Sequence, residues 1–187
     1  MLEKTEKLDF SKSCHIAMNK KIINFSNMRF AEPEDLNDVA LFHHLFKLPV
    51  VNSPEIPGQD RINLRISLLE EELSELKKAI EEDDIVEVAD AFADLQYVLS
   101  GAILEFGLGQ KFKDIFNEVQ RSNMSKTCKT MEEAKETQNY YKETRGVDSF
   151  IENSDNEYLV YRKEDGKVLK SINFSAPDIK SILEKKK

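Results

Sequence analysis

Three carboxylates raise the first chemical question. Glu87, Asp90 and Asp94 lie in a run, Ile85 to Phe106, whose only other charged residue is Glu105. At about 100° per residue, offsets of three and seven fall within roughly 60° of one another on a helix, so the three acids form one narrow stripe. A helix that is apolar nearly all round is ordinarily buried, and buried, unpaired carboxylates are costly. They need cationic partners, a proton or a metal. No Lys or Arg occurs between Ile85 and Phe106, so pairing within the helix is excluded; a neighbouring helix or a bound cation must answer the charge.

The preceding segment supplies more acid. Glu71, Glu72 and Glu75 stand in the string LLEEELSELKKAI, with Glu72 and Glu75 one helical turn apart on one face. Taken alone, such a Glu-rich run is most often a solvated face. Folded back as a hairpin, however, it sets Glu72 and Glu75 opposite Glu87 and Asp90, and four carboxylates converge. Oxygen-only ligation suits Mg²⁺, with Mn²⁺ as the alternative, and not zinc. A di-iron bundle would require Glu-x-x-His on two helices. The histidines here, His15, His43 and His44, all lie outside the two acidic segments.

The elements that must position these acids follow from periodicity. Apolar residues at helical spacing predict helices over about 35–47, 60–82 and 84–106. The Asp83–Asp84 pair marks a short turn between the last two, which should therefore pack antiparallel. A Pro-rich connection, 48–59, separates the first helix from the second. Gly107 and Gly109 stop the third helix, and a fourth covers about 111–121. Residues 122–130 read as a loop, and a polar fifth helix runs from Met131 to about Thr144. EYLVYR and KVLK flanking Asp165–Gly166 read as a β-hairpin, and a short helix follows Pro177. Lys20 to Phe30 reads as a strand or a partly ordered arm. The expected organisation is an arm at 1–34, a helical core at 35–126, a helical insert at 127–157, and a hairpin with its tail at 158–187. The fold class is all-α, a helical bundle with a small C-terminal β-hairpin.

Composition narrows the function classes. The chain has 187 residues and a formal net charge of −8. So acidic a chain is a poor general binder of nucleic acid, whose phosphates need basic surface. Six Gly and five Pro argue against a turn-dense sandwich or barrel. No stretch resembles a membrane span, and MLEKTEKLDFSK lacks a signal-peptide core. Cys14 and Cys128 form no Cys-x-x-Cys pair, which fits reduced thiols in a cytoplasm.

EELSE (Glu71 to Glu75) followed by EVAD (Glu87 to Asp90) resembles the signature of all-α nucleoside triphosphate pyrophosphohydrolases, which include MazG-like proteins and phosphoribosyl-ATP pyrophosphohydrolases. FNEVQRSNMSK (Phe116 to Lys126) and DGKVLKSINFSAPDI (Asp165 to Ile179) look like the phosphoribosyl-ATP-pyrophosphohydrolase-like branch. The resemblance implies that Glu72, Glu75, Glu87 and Asp90 are Mg²⁺ ligands and that Asp94 is an auxiliary ligand or stands behind them. It makes Glu71 the catalytic residue that orients or deprotonates the attacking water. Arg121, Asn123 and Lys126 are implied to bind the nucleotide, and Phe42, His43 and His44 are candidates for a base pocket, against roles in the core or at the surface. It also implies a homodimer or homotetramer.

The expected activity is Mg²⁺-dependent cleavage of a ribo- or deoxyribonucleoside triphosphate, or a related nucleotide, to monophosphate and pyrophosphate, in a house-cleaning role. The alternatives are a phosphoribosyl-ATP pyrophosphatase of histidine biosynthesis, or a non-catalytic helical binding protein whose acids keep it soluble. The stretch from Thr127 to Glu157, which shorter members of the family lack, is a lid, an oligomer contact or decoration.

Overall fold

The computed structural model describes residues 30–185, so most of the expected N-terminal arm, and Cys14 with it, lies outside the described residues. Six α-helices and one antiparallel hairpin make up those residues, an all-α fold with a β appendage. The chain divides into two compact units: Glu32–Met124 with Ala176–Lys187, and the stretch Ser125–Ser175.

The first unit is built on α1 (Asp35–Leu45), α2 (Gln59–Glu81), α3 (Ile85–Glu105), α4 (Phe112–Met124) and α6 (Ile179–Glu184). α2 and α3 are joined by three residues. Asp83 takes a left-handed conformation, φ 55°, and Asp84 caps α3, its carboxylate accepting from the Val86 and Glu87 amides at 3.0 and 3.2 Å. This Asp pair turns one helix directly into the next, as its sequence suggests. Arg61, at the start of α2, meets Glu105 at the end of α3, so the two helices run antiparallel along their whole length. α1 crosses α3, where Asp35 accepts from Gln96 (2.6 Å) and Ser100 (3.1 Å).

Gly107 closes α3 at φ +68°, and the connection before α2 passes so close that a Cβ there would lie 1.9 Å from the Ser53 carbonyl oxygen. Val51 and Glu55 donate to the Leu104 and Phe106 carbonyls in the same place. Gly107→Ala should therefore combine left-handed strain with a backbone clash and cost about 2–4 kcal/mol, read as a lowered midpoint in chemical denaturation. A left-handed glycine in open surroundings, such as Gly146, should show only about 1 kcal/mol for the same change.

The described residues bury only one side of α3. Its inner face, with Ala91, Ile103 and Leu104, is covered, but Phe92 is 57% exposed and Val86 71%. The reason is geometric: α1 and α2 cover one side of α3, while a helix apolar all round has a second side to bury.

The second unit has its own core, Cys128, Ala134, Tyr141, Val160 and Leu169. α5 (Met131–Arg145) begins at Thr130, whose hydroxyl accepts from the Glu133 amide at 3.1 Å, and ends at left-handed Gly146. The regular hairpin is β1 (Ser149–Ser154) against β2 (Glu157–Arg162), a strand partner for EYLVYR that the sequence does not single out. Asp155 and Asn156 both take positive φ, 47° and 68°, the two-residue turn that matches the twist of a hairpin. The expected pairing of EYLVYR with KVLK is present in shorter form across the Asp165–Gly166 turn, where Val168 bridges Tyr161, Arg162 donates to the Lys167 carbonyl and Leu169 to that of Val160. The expected loop at 122–130 also shortens, because α4 continues to Met124.

Candidate functional site

The acids of α2 and α3 share one seam of the hairpin. Glu75, Glu87 and Asp90 line a cleft of about 330 Å³ together with Glu82 and the cation Lys78. Farther from the turn stands Glu72, half-buried. Burial pushes its carboxyl above the usual range, and the negative charges of Asp94, Glu75, Glu71 and Asp90 push it in the same direction. Asp94, the residue outside the minimal motif, is thus among the acids close enough to act on Glu72.

One atom stands out. Oε2 of Glu72 is buried and has no hydrogen-bond partner. A buried acceptor left unpaired costs about 1–3 kcal/mol, more when charged. A hard cation among oxygen donors would satisfy it, and the donor set fits such an ion.

The acids do not converge as tightly as their spacing predicts. Among the described residues, no three His, Cys, Asp or Glu side chains are close enough to hold a metal together. Glu71, Glu75, Glu87, Asp90 and Asp94 are exposed. Like charges on neighbouring side chains repel, and exposed carboxylates relax toward water.

The sequence-implied nucleotide residues fall elsewhere. Arg121, on the last turn of α4, forms a two-pronged pair with Glu118, both contacts 2.8 Å, and donates to the Ala176 carbonyl at 3.0 Å. Glu118 also accepts from the Asp178 amide. These bonds, Arg121 first, lower the Glu118 carboxyl to about 2. Arg121 thus ties the C-terminal tail to α4. Asn123 is exposed on the same turn. Neither lines the acidic cleft. Lys126 belongs to the second unit.

A cluster that spacing could not reveal lies at the other end of the hairpin. Glu105, 1% exposed, is held by Arg61 and, at 2.5 Å, by Arg65. Burial alone would push the Glu105 carboxyl up, but the Arg61 and Arg65 hydrogen bonds outweigh it and hold it below its ordinary range. Arg65 also lies 3.0 Å from His43 Nε2. A guanidinium can only donate, so Nε2 accepts and Nδ1 carries the proton given to the Pro49 carbonyl, 2.8 Å away. Gly101 leaves room for this, since a Cβ there would lie 2.6 Å from Arg65 Nη1.

Beside this cluster is an apolar recess of about 230 Å³, lined by Phe42, His43, Arg65 and Tyr97 among others. Phe42 meets Tyr97 edge to face, centroids 5.6 Å apart. Of the three base-pocket candidates, Phe42 and His43 line this recess, while His44 is exposed.

The antiparallel helices with acids from both along one seam are consistent with the all-α nucleoside triphosphate pyrophosphohydrolase superfamily. Residues 39–123, a little under half of the chain, match the family model described as phosphoribosyl-ATP pyrophosphohydrolase. An uncharacterized protein of Acanthamoeba polyphaga mimivirus is 38% identical over 82 residues, 41% of this chain and 33% of the viral protein. The match thus spans about a third of that relative's length. No helix among the described residues is long and apolar enough to cross a membrane.

Proposed function

We propose that the chain is a Mg²⁺-dependent nucleoside triphosphate pyrophosphohydrolase, releasing a nucleoside monophosphate and pyrophosphate. The observation that carries this reading is the partnerless buried oxygen of Glu72 within a seam of like charges. Glu72, Glu75, Glu87 and Asp90 would hold the cations, with Mn²⁺ able to substitute and Asp94 in support. When bound, such ions polarise phosphoryl oxygens and lower the pKa of water. Glu71 takes the role of orienting or deprotonating the water that attacks the α-phosphorus. Asn123 and Lys126 are assigned to the nucleotide, as is Arg121 once it leaves Glu118. The Phe42–Tyr97 recess, apolar with Arg65 and His43 beside it, suits a base.

A homodimer or homotetramer is part of the proposal, because the uncovered side of α3 is the kind of apolar surface that protein contacts bury. The test is a panel of ribo- and deoxyribonucleoside triphosphates assayed for pyrophosphate with Mg²⁺, with Mn²⁺ and with EDTA. Turnover of several triphosphates that EDTA abolishes is the expected result. The family match favours a second reading, a dedicated phosphoribosyl-ATP pyrophosphatase, and turnover confined to that substrate would select it. Absence of turnover on every substrate, with no Mg²⁺ binding by calorimetry, would leave a non-catalytic helical protein.

A further inference from the structure

The second unit, residues 125–175, carries nine basic and ten acidic residues, so its charge nearly balances. The distribution does not. Lys126, Arg145, Arg162, Lys167 and Lys170 all line one cleft of about 440 Å³, and no acidic residue is among its lining. Several of the unit's acids are committed elsewhere: Glu157 to Lys129, and Asp148 to Lys142. Asp165 reaches in from outside the lining to take Arg162 in a two-pronged pair, and Lys167 also draws on it. Arg145 and Lys170 have no ion-pair partner among the described residues. Their charges rest on ring faces instead, Arg145 5.4 Å from the Tyr141 centroid and Lys170 4.2 Å from that of Phe174. Such contacts fix a cation in place and leave its N–H groups free to donate.

Gathering like charges in one cleft is unfavourable until an anion fills it. A compact ligand bearing several negative oxygens is the natural complement, because Arg and Lys bind phosphate through charge-assisted hydrogen bonds. A second cleft adjoins the first. Tyr141, Arg145 and Lys170 line both, and the second adds Tyr140, Ile172 and Phe174. Phosphates held in the cationic cleft would thus have an aromatic shelf beside them for a base. The volume falls in the range of small-ligand sites, roughly 300–1,000 Å³.

We infer that residues 125–175 form a nucleotide-binding site of their own, with Arg145, Lys167 and Lys170 gripping the phosphates and the Tyr140–Phe174 shelf receiving the base. This site uses none of the acids of α2 and α3 and needs no divalent metal.

The test is ATP binding to the full chain in EDTA, by calorimetry. Without divalent ions the acidic seam repels the ligand, so binding reports on the cationic cleft. Saturable binding is expected, weakened at least tenfold in the double variant Arg145→Ser, Lys170→Ser and unchanged in Glu72→Gln. Arg145 and Lys170 are exposed, and a circular-dichroism melt checks the fold. Lys167→Gln, which disturbs no ring contact, should weaken binding several-fold on its own. No saturable binding, affinity indifferent to these substitutions, or equal loss in Glu72→Gln would overturn the inference. So would inorganic triphosphate binding as tightly as ATP, which removes the base, or single-stranded DNA displacing ATP at lower concentration than ATP itself.

Discussion

Glu72→Gln should produce a more stable protein that lacks the proposed pyrophosphohydrolase activity. The carboxyl of Glu72 is pushed up by burial and by Asp94, Glu75, Glu71 and Asp90. A folded-state value above the unfolded one means that the stability this group contributes is present at low pH and is lost as pH rises through the folded value. At neutral pH without divalent ions its charge therefore opposes folding. Gln keeps the shape and removes the charge, so the metal-free variant should melt a few degrees above the wild type. Added Mg²⁺ should raise the wild-type midpoint by mass action and raise the variant's much less. Turnover should fall at least about 100-fold, the scale of losing a group that places charge at a reacting centre. Full activity in a folded Glu72→Gln protein would remove Glu72 from the ligand set. A lower melting point in EDTA would contradict the electrostatic account of the seam.

Glu105→Ala should be the most damaging single change to stability. Glu105 is 1% exposed and answers both Arg61 and Arg65. Removing it strands the buried Arg65 guanidinium, whose Nε already has no partner. Breaking a buried pair from one side costs about 3–5 kcal/mol, measurable by urea denaturation. The pH dependence gives a second check. The Glu105 carboxyl is held below its ordinary value of 4.5, so its contribution is present above that pH and fades as pH falls toward the folded value. Glu105→Gln should flatten this acid limb of the stability profile. The double variant Arg65→Met, Glu105→Met, which replaces both charges, should recover much of the loss.

These two residues mark what the sequence made legible and what it did not. The acidic motif and the Asp83–Asp84 turn are local, and periodicity places α2 and α3 within a residue or two of their observed ends. Glu105 was visible as a lone charge at the end of an apolar helix, but its partners lie 40 and 44 residues away. No spacing rule reaches that far. The Asp-Gly signal finds the turn after β2 but not the longer β1–β2 pairing, because Asp155–Asn156 turns through two left-handed residues without a glycine. The partial exposure of α3 among the described residues agrees with its composition: a helix apolar nearly all round has more surface to bury than two neighbouring helices cover.

The α2–α3 hairpin is fastened at both ends. Three residues and the Asp84 cap close one end, and the Arg61–Arg65–Glu105 clasp closes the other. Between them lies a stretch whose charges push the helices apart. Free at either end, such a pair would splay and a cation would have to draw it together. Fastened at both, the helices stay together against that repulsion, and the proposed cation would need only the exposed side chains, not the helices, to move toward it. The buried salt bridge, at the opposite end of the hairpin from the Asp84 turn, would then set the spacing of the helices at which the proposed metal is met.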